Sequence, residues 1–356
     1  MARTLDAVES RTFASRDFAL DGGAVLPELR IAYETYGELN AAGTNAVLLT
    51  HGYTSHHHQA GRYRKGHAPP GLDELTAGTW DGLVGPGRAI DTDRLFVVSS
   101  NMLGSSYGTT GPAHTDPRTG KPYGPHFPRF TTVDIVRAQK LLLDHLGVKH
   151  LVAVAGPSYG GYLAFQWGVQ YPDFMHGIVP TVTSPKSNAG PGPTLKLIAD
   201  LAADPNWNGG DYYANGGIFD TMVRMRVQTL KFYGIEAQLA PTVPDAAQRD
   251  AAIHRLAETW ASVFDANAMV VLRRALEGFD ATASFGRIRA KVLYVLSRTD
   301  KLFPPSLAPS VMQLLDRARV DARYVELDSE YGHLATGVAA DQWAPVLAGF
   351  MAELQR

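Results

Sequence analysis

The chain has 356 residues, of which 45% are hydrophobic and 19% charged, and its formal net charge is −2. This composition is typical of a globular protein with one large core, and it gives no electrostatic basis for binding nucleic acid or an anionic membrane surface. Because the chain contains no cysteine, disulfides, thiolate metal sites and a cysteine nucleophile are excluded.

The first hundred residues predict several strands. Residues 11–35 alternate as two short strands would, on either side of an Asp-Gly-Gly turn signal at 21–23, which indicates a hairpin. Compact apolar runs at 45–50 and 95–99 are typical of strands that are buried in a parallel sheet.

The middle of the chain predicts a helix, a strand and a second helix. Residues 131–134 have the form of a capping box, and apolar side chains then recur at helical spacing until Gly147. An apolar, β-rich run at 150–155 follows, and a helical pattern begins after Gly160 and ends near Pro172.

The last part of the chain repeats this alternation. Apolar runs at 291–296 and 322–327 predict two strands, and a helical stretch at 306–317 separates them. Strands that alternate with helices favour an α/β fold, in which helices cover both faces of a parallel sheet.

Residues 184–283 interrupt the alternation. They open with a Gly/Pro-rich stretch at 188–193 and continue as mostly helical sequence without a convincing strand pattern. We therefore predict a core made of residues 1–183 and 284–356, and a helical lid over the strand ends made of residues 184–283. Three basic side chains of this lid are expected on a solvated helix face: Arg224, Arg226 and Lys231.

A serine between glycines follows the strand predicted at 150–155. Residues 156–160 read Gly-Pro-Ser-Tyr-Gly, which matches the G-x-S-x-G motif in its usual place between a strand and a helix. A serine at so tight a turn has strained backbone angles and requires small neighbours. The turn predicts that Ser158 is a nucleophile exposed at the carboxyl edge of the sheet, near the positive end of the next helix. The alternative is a glycine-rich turn with an incidental serine.

A serine nucleophile requires a base and an orienting acid, expected along the chain in the order Ser, Asp, His. Asp300 follows the strand at 291–296, and His333 follows the strand at 322–327, so both belong to loops at the same sheet edge as Ser158. We predict that His333 accepts the serine proton and that Asp300 fixes the imidazole tautomer. Taken singly, such a histidine is more often a surface residue and such an aspartate a helix cap.

An oxyanion hole is expected from the backbone amide of Tyr159 and from an amide in the loop after the strand at 45–50, where Tyr53 is the candidate. The same loop contains three adjacent histidines at 56–58, and histidine is a common metal ligand, so a metal-binding site is an alternative interpretation. Adjacent histidines rarely converge on one ion, so we expect a solvated or packing role for them and no metal site.

Blocks of sequence outside these candidate residues form a distinctive pattern between residues 80 and 124, which continues at 204–213. They include Trp80-Asp-Gly-Leu-Val-Gly-Pro-Gly87, Asn101-Met-Leu-Gly104 and Gly108-Thr-Thr-Gly-Pro112. The pattern resembles the homoserine O-acetyltransferase family of the α/β-hydrolase fold. The resemblance implies a mostly parallel eight-stranded sheet, an inserted helical lid and often a dimer formed through the lids. It also places Ser158, Asp300 and His333 at the family's triad positions.

The chain departs from this family where the acceptor is expected to bind. The family's His-Asp pair corresponds to His333-Leu334, so a carboxylate expected to help hold an amino-acid acceptor is missing. The family's acceptor-binding arginine corresponds to Met222 in an ungapped match, although a shifted alignment would put Arg224 there. Because burying an unpaired zwitterion costs on the order of several kcal/mol, Met222 and Leu334 predict an apolar substrate pocket.

These features favour a serine esterase that hydrolyses short-chain, chiefly acetyl, esters of small alcohols through an acyl-enzyme intermediate. The alternatives are an acetyl-CoA-dependent O-acetyltransferase acting on homoserine or another hydroxyl, and a binding protein without activity on the same scaffold. We expect no cofactor, a small-molecule ester as partner, no nucleic-acid or membrane partner, and a homodimer formed through the lid. The first residues lack the apolar run of a signal peptide, which favours a cytoplasmic location.

Overall fold

The computed structural model describes residues 5–72, 76–188 and 190–356. Residues 1–4, residues 73–75 and Ala189 of the Gly/Pro-rich stretch lie outside the described part. Its main element is a sheet of eight strands, numbered here along the chain: β1 (Arg11–Ala19), β2 (Val25–Tyr36), β3 (Ala46–Leu49), β4 (Phe96–Ser100), β5 (Leu151–Pro157), β6 (Met175–Thr181), β7 (Lys291–Ser297) and β8 (Ala322–Leu327). Their spatial order is β1-β2-β4-β3-β5-β6-β7-β8.

The sheet is mostly parallel, as predicted. Strand β2 is antiparallel to β1 and to β4, and every other neighbouring pair is parallel. The predicted hairpin is confirmed: β1 pairs with β2 from Arg11 opposite Tyr33 to Ala19 opposite Val25. Gly23 in its turn has φ 86°, a left-handed conformation that glycine adopts without steric cost.

The described residues contain ten α-helices: α1 (Thr132–His145), α2 (Tyr159–Gln170), α3 (Pro191–Ala202), α4 (Phe219–Tyr233), α5 (Ile235–Leu239), α6 (Ala246–Ala261), α7 (Ala266–Ala275), α8 (Ala308–Arg317), α9 (Ala335–Val338) and α10 (Ala340–Leu354). The predicted capping box of α1 is present. The Thr131 hydroxyl accepts from the amide of Val133 at 3.2 Å, and the Asp134 carboxylate accepts from the amide of Thr131 at 2.9 Å.

Helices cover both faces of the sheet because its central strands are apolar on both sides. In β3, Leu48 belongs to the core beneath α1, α2 and α8, whereas Val47 and Leu49 belong to the core beneath α10. This alternation is the period of two that a pleated strand imposes on its side chains.

Strand β6 has no counterpart among the predicted strands. It lies between β5 and β7, and Pro180 is paired with Gly156 of β5 in the parallel register. Because proline removes a backbone donor and is disfavoured in central strands, the local pattern gives little indication of a strand there.

Residues 184–283, here called the helical insert, contain α3 to α7 and, among the described residues, no β pairing beyond the isolated bridge of Lys186 with Asp280. The insert has its own apolar core, in which Trp207, Tyr212 and Trp260 are buried. The division of the chain into a core and a lid stays a prediction. Throughout the described residues, no helix combines the length and the apolar character needed to span a membrane.

Candidate active site

Ser158 forms the turn between β5 and α2. Its backbone angles are φ 56° and ψ −116°, a conformation that costs a residue with a side chain on the order of 1–3 kcal/mol. Neighbouring backbone stabilises the turn: the Ser158 amide donates to the carbonyl of Thr181 at 2.9 Å, and the Ser158 carbonyl accepts from the Thr183 hydroxyl at 2.8 Å. The strained turn predicted from the G-x-S-x-G motif is therefore present and is held from the adjacent strand β6.

The glycines beside Ser158 let the chain after β3 approach the turn. A methyl group on Gly160 would lie 2.7 Å from the carbonyl oxygen of Thr50, and one on Gly156 would overlap Thr50. At this short separation, the Thr50 hydroxyl donates to the Gly160 carbonyl at 2.9 Å. The motif's glycines are thus required by contact with the loop that follows β3.

Asp300 and His333 lie in the loops after β7 and β8 and are hydrogen-bonded to each other. His333 Nδ1 and Asp300 Oδ2 are 2.8 Å apart, and Asp300 Oδ1 accepts from the amides of Leu302 and Phe303 at 2.8 and 3.2 Å. Both side chains are buried. Because the carboxylate accepts, the proton of a neutral imidazole is held on Nδ1, which leaves the Nε2 lone pair free to accept another proton.

Ser158 lies in the wall of a cavity of about 950 Å³, together with Tyr233 and Phe303. The rings of Tyr233 and Phe303 lie 4.6 and 5.7 Å from the imidazole of His333, so both residues connect the cavity wall to the histidine. Among the described residues, no hydrogen bond joins Ser158 Oγ to His333 Nε2. Such bonds between a nucleophile and its base are often long until substrate binds.

The loop after β3 lies against the serine, as the oxyanion-hole prediction requires. A methyl group built on Gly52 would be 3.9 Å from Ser158 Cβ, which places the neighbouring Tyr53 beside the nucleophile. The rings of Tyr53 and Tyr159 are nearly parallel, with centroids 6.1 Å apart. Their hydroxyls donate to backbone carbonyls of α7, Tyr53 to Met269 and Tyr159 to Leu272. Helix α7 therefore fixes both candidate oxyanion residues by their side chains.

His51 was not singled out from the sequence, although it directly follows the buried strand β3. It is fully buried, and desolvation lowers its pKa to about 4. The neutral ring donates from Nδ1 to the Gly52 carbonyl at 2.9 Å and accepts at Nε2 from the Met102 amide at 3.2 Å. A neutral histidine thus holds the backbone immediately before Tyr53.

Two side chains of the helical insert bind Thr54 in the same loop. The Thr54 hydroxyl accepts from Arg226 Nη1 at 2.8 Å, and the Thr54 carbonyl accepts from Trp260 Nε1 at 3.0 Å. The Arg226 guanidinium also lies over the Trp260 ring, 4.9 Å from its centroid. The expectation of a solvated face is therefore wrong for Arg226, because its position on α4 faces the loop that follows β3 and contains Tyr53 and Thr54, here called the oxyanion loop. Lys231 forms an exposed ion pair with Asp250.

The residues expected to form the substrate pocket lie elsewhere. Met222 is buried in the core of the helical insert, and Leu334 packs on a small apolar cluster that includes Val223 and Ile253. Residues two positions apart on a helix point to opposite sides, so α4 directs Met222 into the insert and Arg224 towards the cavity.

Most of the cavity wall is apolar or aromatic, but the wall also contains cations that the prediction of an apolar pocket did not include. Arg224, Arg273 and Lys196 line it, and Asp200 is the one acid among the described residues of the wall. Asp200 is bonded by Lys196 at 2.7 Å, so it forms a pair on α3 and leaves both arginines available.

Of the three adjacent histidines, His57 and His58 are buried, and His58 belongs to a hydrogen-bonded cluster around Glu34. His58 donates from Nδ1 to the buried carboxylate of Glu34 at 3.0 Å, and the hydroxyls of Tyr36 and Tyr63 donate to the same carboxylate. In the part of the chain that the structure describes, no group of three or more histidine or acidic side chains is arranged to hold a metal ion.

Comparison with known proteins agrees with this arrangement. A family model for the alpha/beta hydrolase fold matches residues 45–338. A homoserine O-acetyltransferase of Moorella thermoacetica is 38% identical over 371 aligned positions, which cover 94% of each chain. Among solved structures, esterase E22 superposes with a TM-score of 0.86 at 29% identity, covering 97% of this chain and all of that one. A homoserine O-acetyltransferase from Bacillus anthracis superposes with a TM-score of 0.83 at 26% identity, covering 97% and 98%.

A strained serine between a strand and a helix, followed along the chain by a hydrogen-bonded Asp-His pair at the same sheet edge, defines an enzyme of the α/β-hydrolase fold. Within that fold, the chain belongs to the homoserine O-acetyltransferase family. The proteins to which this chain is similar include both acetyltransferases and esterases.

Proposed function

We propose that this enzyme is an O-acetyltransferase that moves an acetyl group from acetyl-CoA to the hydroxyl of homoserine or a similar amino-acid acceptor. The observation that carries the proposal is the presence of Arg224 in the wall of the cavity at Ser158, where its guanidinium can pair with an acceptor carboxylate. The full-length similarity to proteins named homoserine O-acetyltransferase supports the same function.

The proposed reaction has two steps through an acyl-enzyme. Ser158 Oγ attacks the thioester carbonyl while His333 Nε2 accepts its proton, and the amides of Tyr53 and Tyr159 donate to the oxyanion. The tetrahedral intermediate expels the CoA thiolate, which receives that proton from His333. The acceptor hydroxyl then transfers its proton to His333 as it attacks the acetyl carbonyl, and His333 returns that proton to Ser158 Oγ as the ester product is released. Asp300 stabilises the imidazolium in both steps.

A second candidate function is hydrolysis of acetyl esters, in which water replaces the acceptor. The specific observation in its favour is Leu334, which follows His333 and packs in an apolar cluster, so that no carboxylate stands beside the base at that position. The similarity to esterase E22 also favours it. Both functions use the same acyl-Ser158, and they differ in the acyl donor and in the second nucleophile.

A single assay distinguishes the transferase from the esterase. Acetyl-CoA is supplied with and without homoserine, and CoA release and O-acetylhomoserine are measured, with hydrolysis of p-nitrophenyl acetate followed in parallel. The transferase proposal predicts CoA release that saturates with homoserine. It also predicts that Arg224→Gln raises the KM for homoserine about 10- to 100-fold, as loss of a charged hydrogen bond does. Ester hydrolysis without any response to homoserine would favour the esterase.

A further inference from the structure

Arg273 is a second cation in the cavity wall, and neither the sequence nor the proposed reaction assigns it a role. It lies in the last turn of α7, half-buried, in the same wall as Ser158. It also lines an adjoining cavity of about 370 Å³ with Lys196 and Asp200. The side chain thus lies where the catalytic cavity meets a smaller one.

Arg273 lines the same cavity wall as three tyrosines, Tyr53, Tyr162 and Tyr233. Its positive charge opposes the effect of burial, which raises the pKa of Tyr53. Burial likewise raises the pKa of Tyr162 to about 12, again against the charge of Arg273. Both tyrosines line the catalytic cavity, so the positive charge acts on the space beside Ser158.

This cation has unused hydrogen-bonding capacity. Its buried Nε has no hydrogen-bond partner. The single acid among the described residues of the wall, Asp200, is already bonded by Lys196 at 2.7 Å. Desolvating a charge without a counter-ion is costly, and an anionic group of the substrate in the cavity would offset that cost.

We propose that Arg273 binds a carboxylate carried by the substrate and so selects carboxylate-bearing substrates. The carboxylate belongs either to a dicarboxylic acyl group, such as succinyl, or to the amino-acid acceptor. The guanidinium can bind either one with two parallel hydrogen bonds. The inference deepens the proposed function and rests on its acyl-Ser158 intermediate.

The test compares paired substrates that differ by one carboxylate. For the acyl group the pair is p-nitrophenyl acetate and the mono-p-nitrophenyl ester of succinate. For the acceptor the pair is homoserine and 3-amino-1-propanol. Each is measured with the wild type, Arg273→Gln, Arg273→Lys and the neighbouring control Arg274→Gln, whose side chain lies outside the cavity wall.

The expected result is that Arg273→Gln lowers kcat/KM about 10- to 100-fold for the carboxylate-bearing member of one pair and leaves its neutral partner near the wild-type value. Arg273→Lys should be intermediate and Arg274→Gln unchanged. The pair that responds identifies the source of the carboxylate. Equal effects of Arg273→Gln on both members of each pair would overturn the inference.

A binding measurement keeps this test separate from the proposed function. Calorimetry measures the affinity for succinate and for homoserine of two proteins, the Ser158→Ala variant and the double variant Ser158→Ala/Arg273→Gln. Neither measurement requires turnover. Binding that Arg273→Gln weakens about tenfold or more supports the inference even where acetyl transfer to homoserine is absent. Identical isotherms, or no binding of either ligand, would overturn it.

Discussion

Asp300 and His333 are 33 positions apart in the chain, yet Oδ2 of the aspartate and Nδ1 of the histidine lie 2.8 Å from each other. The reason is the parallel pairing of β7 with β8, which brings the loops after both strands to one edge of the sheet. Strand β5 ends at the same edge and leads into Ser158. The hydrogen bond between Asp300 and His333 therefore follows from the sheet topology. Because it holds the proton on Nδ1, Nε2 of His333 is left to accept the serine proton.

Asp300→Asn is expected to lower kcat by about 10⁴-fold, because an amide that donates towards Nδ1 favours the wrong imidazole tautomer. The fold should persist, since the asparagine oxygen can still accept from the amides of Leu302 and Phe303. Steady-state kinetics and thermal unfolding are measured beside the exposed control Asp316→Asn on α8. Near-normal kcat in the Asp300 variant would contradict the assigned role.

Trp260→Phe is expected to lower kcat about tenfold or more with little change in KM, because the Thr54 carbonyl loses its donor and the oxyanion loop shifts. Stability should fall by about 1–3 kcal/mol for the unsatisfied carbonyl and lost contacts. The control is Trp207→Phe, a buried tryptophan of the same insert core. Similar kinetics in the two variants would show that Trp260 acts only through packing.

Gly160→Ala and Gly168→Ala should have opposite effects although both glycines lie in α2. The added methyl group at Gly160 would meet the Thr50 carbonyl at 2.7 Å, whereas at Gly168 its nearest neighbour is Ile178 at 3.4 Å. We expect a loss of about 1–3 kcal/mol in the free energy of unfolding for the first and a change between zero and a gain of about 1 kcal/mol for the second. Denaturant unfolding checks both values. Equal stability would refute the close approach at Gly160.

Because His51 is buried in its neutral form, we expect the folded protein to lose stability as the pH falls from about 6.5 to about 4. Its pKa is lowered to about 4 in the folded protein, and the unfolded value is about 6.5, so the unfolded state binds more protons in this window. The free energy of unfolding therefore falls as pH decreases, by about 3 kcal/mol for this residue alone.

The check is urea unfolding of the wild type and His51→Gln across that pH range. The variant should show a shallower slope of stability against pH. Part of the slope should remain, because burial also lowers the pKa values of His56 and His57. A slope identical to that of the wild type would show that His51 is not the neutral, buried group described.

Local patterns were sufficient to predict much of the fold. The capping box at Thr131 and the strand-serine-helix sequence around Ser158 are encoded by neighbours in the chain, and the order Ser, Asp, His follows from the parallel topology. Strand β6 could not be predicted in this way. Pro180 makes its local sequence atypical of a central strand, and the strand is held by its pairing with β5 and β7.

The wall of the cavity depends on tertiary packing and was therefore predicted poorly. Which face of α4 meets the cavity is decided by how the helical insert packs on the oxyanion loop, so Met222 and Arg226 could not be assigned from spacing alone. Arg273 gives no local signal, because its place in the cavity wall beside Tyr53, Tyr162 and Tyr233 depends on how distant segments of the chain pack together.

The most direct test of the central claim is to trap the acyl-enzyme. The protein is mixed with acetyl-CoA, quenched in acid and analysed by intact mass and peptide mapping, before and after a chase with homoserine. We expect one acetyl group on Ser158 that disappears in the chase as O-acetylhomoserine forms, and no acetyl group on the Ser158→Ala variant. Acetyl transfer that persists in Ser158→Ala, or acetylation at another residue that turns over, would contradict it.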